Sequence, residues 1–167
     1  MQHGTVADTL TETFELVAPG DLNIHGTLFG GRLLSIIDKC AGLAAFKHAR
    51  TGVVTIALDE VEFQQQVPAG AILTVRARVN RSFNSSMEVG CKAWMQDTRA
   101  GKLDLVPVCR AFLTFVALDR EGNKVELPAI VPESSPEKKA WEQAAIRREH
   151  RIALREKLHA HGAGFEE

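Results

Sequence analysis

The sequence predicts an α+β fold in which one long apolar helix is wrapped by a curved antiparallel sheet. Three observations carry that prediction. Between His25 and Ala45, the residues Leu33, Leu34, Ile36, Ile37, Cys40, Ala41, Leu43, Ala44 and Ala45 cover most of a helical circumference, and a helix apolar nearly all round is buried. Four long strand candidates follow, three of which alternate polar and apolar residues with period two. The connections between them are short turn sequences with no room for crossover helices, so the strands run antiparallel.

The composition narrows the class. A chain of 167 residues can form one domain with a proper core. Its 45% hydrophobic and 25% charged residues are those of an ordinary globular protein. A net charge of -1 gives no electrostatic case for nucleic acid or an anionic membrane as partner. No apolar run reaches membrane-spanning length, and the first residues lack a signal-peptide core. Cys40, Cys91 and Cys109 are odd in number, sit in apolar segments and lack metal-site spacing. They read as reduced, buried thiols of a cytoplasmic protein. No metal site is expected, and the histidines His3, His48, His150, His159 and His161 read as surface residues.

The elements follow in order. Thr11 to Val17 alternates as a strand, and Ala18 to Thr27 is a loop dense in Pro, Gly, Asp and Asn. The helix runs from about Gly30 to His48 and is closed by Arg50-Thr51-Gly52. Val53 to Gln65, Ala71 to Phe83, Ser86 to Asp97 and Leu103 to Ala117 are the four long strands, with Pro107 near the start of the last. Glu126 to Ser135 is extended. A second helix spans Pro136 to about Ala160, with Ser135 as its cap and a broken apolar stripe of Trp141, Ala145, Ile152 and Leu158. Residues 1–130 thus form the main domain and 131–167 a helical extension. Apolar residues left on the outer sheet face predict pairing with a second copy.

A few residues could carry chemistry. Gly30 and Gly31 precede the helix, either as a close-packed turn or as free backbone N–H groups able to hold a developing oxyanion. Asp38 shares a helix face with Leu34 and Ala41. It is either a structural carboxylate, pairing with Arg32 or a neighbouring chain, or a base or nucleophile. Asn23 and His25 lie in the preceding loop and could orient water or polarise a carbonyl, or be turn residues. No G-x-S-x-G elbow is present, which removes the serine-triad reading.

These residues resemble the pattern of the cytoplasmic acyl-CoA thioester hydrolases of the hotdog-fold superfamily. The matching features are Asn23, Gly26, Phe29-Gly30-Gly31 and Asp38, then Val54-Thr55, Asp59 to Phe63, and Arg110 to Gly122. The resemblance covers about Thr11 to Pro128. It implies a homo-oligomer of edge-joined dimers, often a hexamer, with the site between protomers and acyl-CoA as substrate rather than cofactor. It further implies Asp38 as general base or nucleophile, the partner's Asn23 as the residue that positions water, Gly31 as oxyanion donor and Thr55 as the hydroxyl opposite the aspartate. Coenzyme A is then expected near Gly30, His25, Arg81, Ser85, Ser86 and Arg110. Leu34, Phe63 and Met87 are expected to line the acyl pocket.

Two other functions fit less of the sequence. An acyl-CoA hydratase needs a His and an Asp a few residues apart ahead of the helix, for which only Asp21 and His25 are available. A non-enzymatic acyl-CoA or nucleotide-binding module would be favoured by a helix-turn-helix, which the segment before Thr11 has no room for.

Overall fold

The computed structural model describes residues 4–101 and 104–160. A five-stranded antiparallel sheet has the order β2-β4-β5-β6-β3, formed by β2 (Thr11–Leu16), β3 (Gly52–Phe63), β4 (Ile72–Ser82), β5 (Ser86–Gln96) and β6 (Val106–Leu118). Helix α1 (Gly30–Ala49) fills its concave face, and α2 (Ser135–Ala160) lies on the other. Short strands β1 (Gly4–Thr5) and β7 (Ile130–Val131) pair in parallel beside them. The family-like α+β arrangement expected from the sequence is therefore the one observed.

Small side chains let α1 approach the sheet closely. Cys40, Ala41, Ala44 and Ala45 are fully covered, as are Leu73 and Val75 of β4, Val89 of β5 and Leu113 of β6. The expectation of burial all round fails on one side, because Leu43 and Phe46 remain 53% and 54% exposed. One sheet covers one side of a helix, and among the described residues no second layer closes over the other. Arg50, not the glycine two residues on, takes the left-handed cap at φ 53°, with its N–H donating to Phe46 O at 2.8 Å.

Strands β3, β4 and β6 each carry a register irregularity, and those in β3 and β4 decide which side chains reach the helices. In β3 a bulge interrupts the register between Thr55 and Ala57, so Thr55 points at α1 while Asp59 points at α2. Strict alternation would have put both on one face. A second irregularity between Asp59 and Glu62, with Glu60 at φ 47°, returns Phe63 to the helix side. In β4 a bulge at Asn80 likewise turns Arg81 toward α2.

Charged residues, not an apolar stripe, hold α2. Arg147 makes a bidentate pair with Glu88, at 2.9 and 2.7 Å, and lies over the Phe112 ring. Glu88 is only 2% exposed and also accepts from Asn80 Nδ2 at 2.9 Å. Trp141 O and ring receive Arg81, and Arg151 pairs with Asp59. The buried positions of α2 are Glu137 and Ala144, whereas Leu158 of the expected stripe is 48% exposed. Glu137 caps the helix by accepting the N–H groups of Ser134 and Glu133, bonds that hold its carboxyl below the usual range. Met87, expected in a pocket, is sealed in the core.

His48 is also a correction. It is 6% exposed, not a surface residue, and its Nε2 lies 3.0 Å from Pro128 O. His150 and His159 lie on the exposed side of α2, and His3 and His161 lie outside the described residues.

Two predictions follow from this packing. Replacing Arg147 with Ala strands a buried carboxylate and should cost about 3–5 kcal/mol in urea unfolding, with Glu88→Gln added to R147A restoring part of the loss. Burial lowers the His48 pKa below its ordinary 6.5. The unfolded chain then takes up the proton first, so this contribution is complete above about pH 6.5 and is lost as pH falls below it. Unfolding curves at pH 7.5 and 5.5 should show a smaller pH-dependent loss in His48→Gln than in the parent.

Candidate active site

The structure brings Asp38 and Thr55 together. Thr55 Oγ1 donates to Asp38 Oδ1 at 2.7 Å, from the inner face of β3 to the rim of α1. Asp38 Oδ2 accepts no hydrogen bond from the described residues. The carboxylate is half-buried and does not pair with Arg32, which instead bonds Asp21 at 2.9 Å and reaches Glu15 at 3.7 Å. One oxygen is therefore fixed by a hydroxyl and the other is free to receive a proton.

The start of α1 offers unpaired donors. The N–H groups of Arg32 and Leu33 both bond Phe29 O, while those of Gly30 and Gly31 have no acceptor among the described residues. A Cβ on Gly31 would lie 2.5 Å from the Phe29 ring, and one on Gly30 would lie 3.7 Å from the Phe63 ring. The two phenyl groups thus flank the donors with apolar surface. The free N–H groups and the positive end of the helix dipole together favour an oxygen gaining negative charge.

Asn23 makes no hydrogen bond to Asp38 in this chain. Its Oδ1 accepts from His25 N at 2.9 Å and Thr27 N at 3.3 Å, and its Nδ2 donates to Thr27 Oγ1 at 3.1 Å. It holds its own loop, with Gly26 at φ 74° inside the turn and the His25 side chain exposed. The coenzyme A candidates do not form one cluster. Ser85 and Ser86 sit at the β4–β5 turn, and Arg81 is stacked on Trp141. Arg110 pairs with Glu62 at 3.0 Å, six residues along β6 from Val116, the partner of Ser86. That separation is roughly 20 Å.

The thiols are not nucleophile candidates. Cys40, Cys91 and Cys109 are free and buried, and desolvation pushes the Cys109 thiol up to about 11. Among the described residues no group of His, Cys, Asp or Glu is placed to hold a metal ion. No helix among them is long and apolar enough to cross a membrane.

Comparison with known proteins decides the family. The thioesterase superfamily model matches residues 25–102. The acyl-CoA hydrolase of Staphylococcus aureus, solved with butyryl coenzyme A, coenzyme A and coenzyme A disulfide, is 34% identical; the match covers 94% of this chain and 92% of that one, with a TM-score of 0.83. The chain belongs to the hotdog-fold acyl-CoA thioesterase family. A hexameric acyl-CoA thioesterase in its apo form is likewise 34% identical, with a TM-score of 0.87 and coverage of 92% of this chain and 97% of that one. The human cytosolic acyl coenzyme A thioester hydrolase is 30% identical over 139 residues, and this hotdog chain spans 37% of its length. The S. aureus hydrolase has also been solved with an aspartate, a threonine and an asparagine each replaced by alanine.

The Thr55–Asp38 bond is directly testable. Thr55→Val should remove a charge-assisted hydrogen bond and lower stability by about 1–3 kcal/mol in thermal unfolding, while Thr55→Ser should lose much less.

Proposed function

We propose that this chain hydrolyses acyl-CoA thioesters to a carboxylic acid and free coenzyme A, with Asp38 as the general base. The observation that carries the proposal is the Thr55–Asp38 hydrogen bond, which leaves one carboxylate oxygen open at the rim of α1. In the S. aureus hydrolase the substituted asparagine precedes the aspartate by 15 positions and the threonine follows it by 17, the same intervals that separate Asn23, Asp38 and Thr55 here.

The chemistry needs few groups. Asp38 Oδ2 takes a proton from water as the water oxygen attacks the thioester carbonyl carbon. The carbonyl oxygen becomes an oxyanion and is held by the Gly31 N–H. The tetrahedral species collapses with cleavage of the carbon–sulfur bond, and the thiolate of coenzyme A leaves without needing a strong acid. Direct attack by Asp38 would give a mixed anhydride that water then opens, using the same residues.

One chain does not supply the whole site. Gly31 and Asp38 are seven residues apart, roughly 10 Å along the axis of a straight helix. Their groups must each lie near 3 Å from one reacting carbonyl. A second protomer resolves the conflict by presenting its own helix start and its Asn23 to this Asp38. Strand β3 is a sheet edge, and its Val54, Ile56 and Leu58 are 43%, 57% and 44% exposed, which suits pairing with a second β3. Three such dimers would make the hexamer. The free thiols suit a reducing, cytoplasmic setting.

A panel of acyl-CoA chain lengths with thiol release as readout tests the reaction. Turnover of at least one chain length is expected, and Asp38→Asn should lower kcat by about 100-fold or more. Full activity in D38N, or none in the parent on any substrate, would overturn it. Mixing D38N with Asn23→Ala (N23A) subunits tests the shared site, since a heterodimer then holds one intact site and recovers activity. Exchanged subunits, verified by mass spectrometry, that stay inactive would place both residues in one chain.

A further inference from the structure

On the face of the sheet opposite Asp38 lies a cavity of about 430 Å³, roofed by the first half of α2. Its floor is formed by Arg76 and Arg78 of β4, Lys92 and Trp94 of β5 and Arg110 and Phe112 of β6, and Arg76, Lys92 and Arg110 belong to one rung that continues across all five strands. Glu12 pairs in register with Arg76, Arg76 with Lys92, Lys92 with Arg110, and Arg110 with Glu62. The side chains alternate along each strand, so this rung presents the charge order minus, plus, plus, plus, minus on one face. Like charges directly opposite on neighbouring strands repel.

The two end carboxylates answer only the outer arginines. Glu12 forms an ion pair with Arg76, and Glu62 pairs with Arg110 at 3.0 Å. Lys92 stands between the arginines with no ion pair to a described residue. Arg78 on the floor and Lys139 on the roof add further positive charge. Trp94, two residues from Lys92 on the same face, forms a wall, with the Arg76 guanidinium 5.5 Å from its ring centroid. A net charge of -1 for the chain makes this concentration local rather than compositional.

We propose that this outer cleft binds a small polyphosphate, either free or as the phosphoryl end of a nucleotide. Two or more linked phosphates would bridge Lys92 and Lys139 and relieve the repulsion along the rung. A cavity of this size is that of a small-molecule site. The aromatic wall can stack a base if the ligand carries one. The site is separate from the thioester chemistry, because the sheet stands between them.

Titration calorimetry of the full chain at low ionic strength tests this with sodium triphosphate, ADP and coenzyme A as probes. Triphosphate should bind saturably, more weakly as salt is raised, and roughly 10-fold more weakly in a Lys92→Ala, Lys139→Ala double variant. That variant should unfold at the parent temperature and keep the parent rate of thioester hydrolysis. ADP binding well above triphosphate would support the proposal with a nucleotide as source; equal affinities would support it with free polyphosphate. Displacement of triphosphate by coenzyme A, with a raised KM for acyl-CoA in the variant, would make the cleft part of the substrate site and overturn the proposal of a separate one. Absence of saturable binding by every probe, or binding unchanged in the double variant, overturns it. Calorimetry needs no turnover, so an inactive chain that still binds separates this proposal from the hydrolase reading.

Discussion

The close approach of α1 to the sheet is the constraint on which the molecule depends. Cys40, Ala41, Ala44 and Ala45 carry little bulk, and the covered strand residues opposite them are mostly branched. Close packing of this kind is intolerant of added volume. It fixes how far α1 lies from β3 and therefore whether the short side chains of Asp38 and Thr55 can meet. It also fixes which side of α1 stays open, and that open side is where a second protomer is needed.

The fold was legible because its main elements obey simple periods. The apolar run from Leu33 to Ala45 marked α1, and alternation in β4, β5 and β6 marked the sheet. What escaped was local irregularity. Nothing in the identities of Ile56 or Asn80 announces a bulge, yet each decides which face the following residues occupy. The anchoring of α2 escaped for a different reason. A helix rich in Arg and Glu reads as solvated, and only the fold reveals that Arg147 meets a buried Glu88. His48 escaped because a lone histidine at a helix end carries no pattern; its partner, Pro128 O, is eighty residues away.

The site was legible in part. Asp38 stood out as a carboxylate in an apolar helix, and the glycines as a donor-rich helix start. Thr55 entered through resemblance alone, because a threonine in a strand has no signature of its own, and its bond to Asp38 supplies the physical reason. Asn23 shows the opposite case. Its amide is spent on its own loop, bonding His25 N and Thr27. Any duty toward a carbonyl falls to a rigid, preset loop.

The bulge in β3 gives that strand two obligations. Upstream of Ile56 it supplies the hydroxyl for Asp38; downstream it supplies Asp59 for Arg151 of α2. Removing one residue between Thr55 and Asp59 would swap the faces of one half relative to the other. Either the carboxylate on α1 loses its hydroxyl or α2 loses its tether. Side chains in this segment can change within the limits of packing, but its length cannot. In lineages derived from this chain, insertions and deletions should collect in the turns around Pro68 and Gly122 and avoid the span from Thr55 to Asp59.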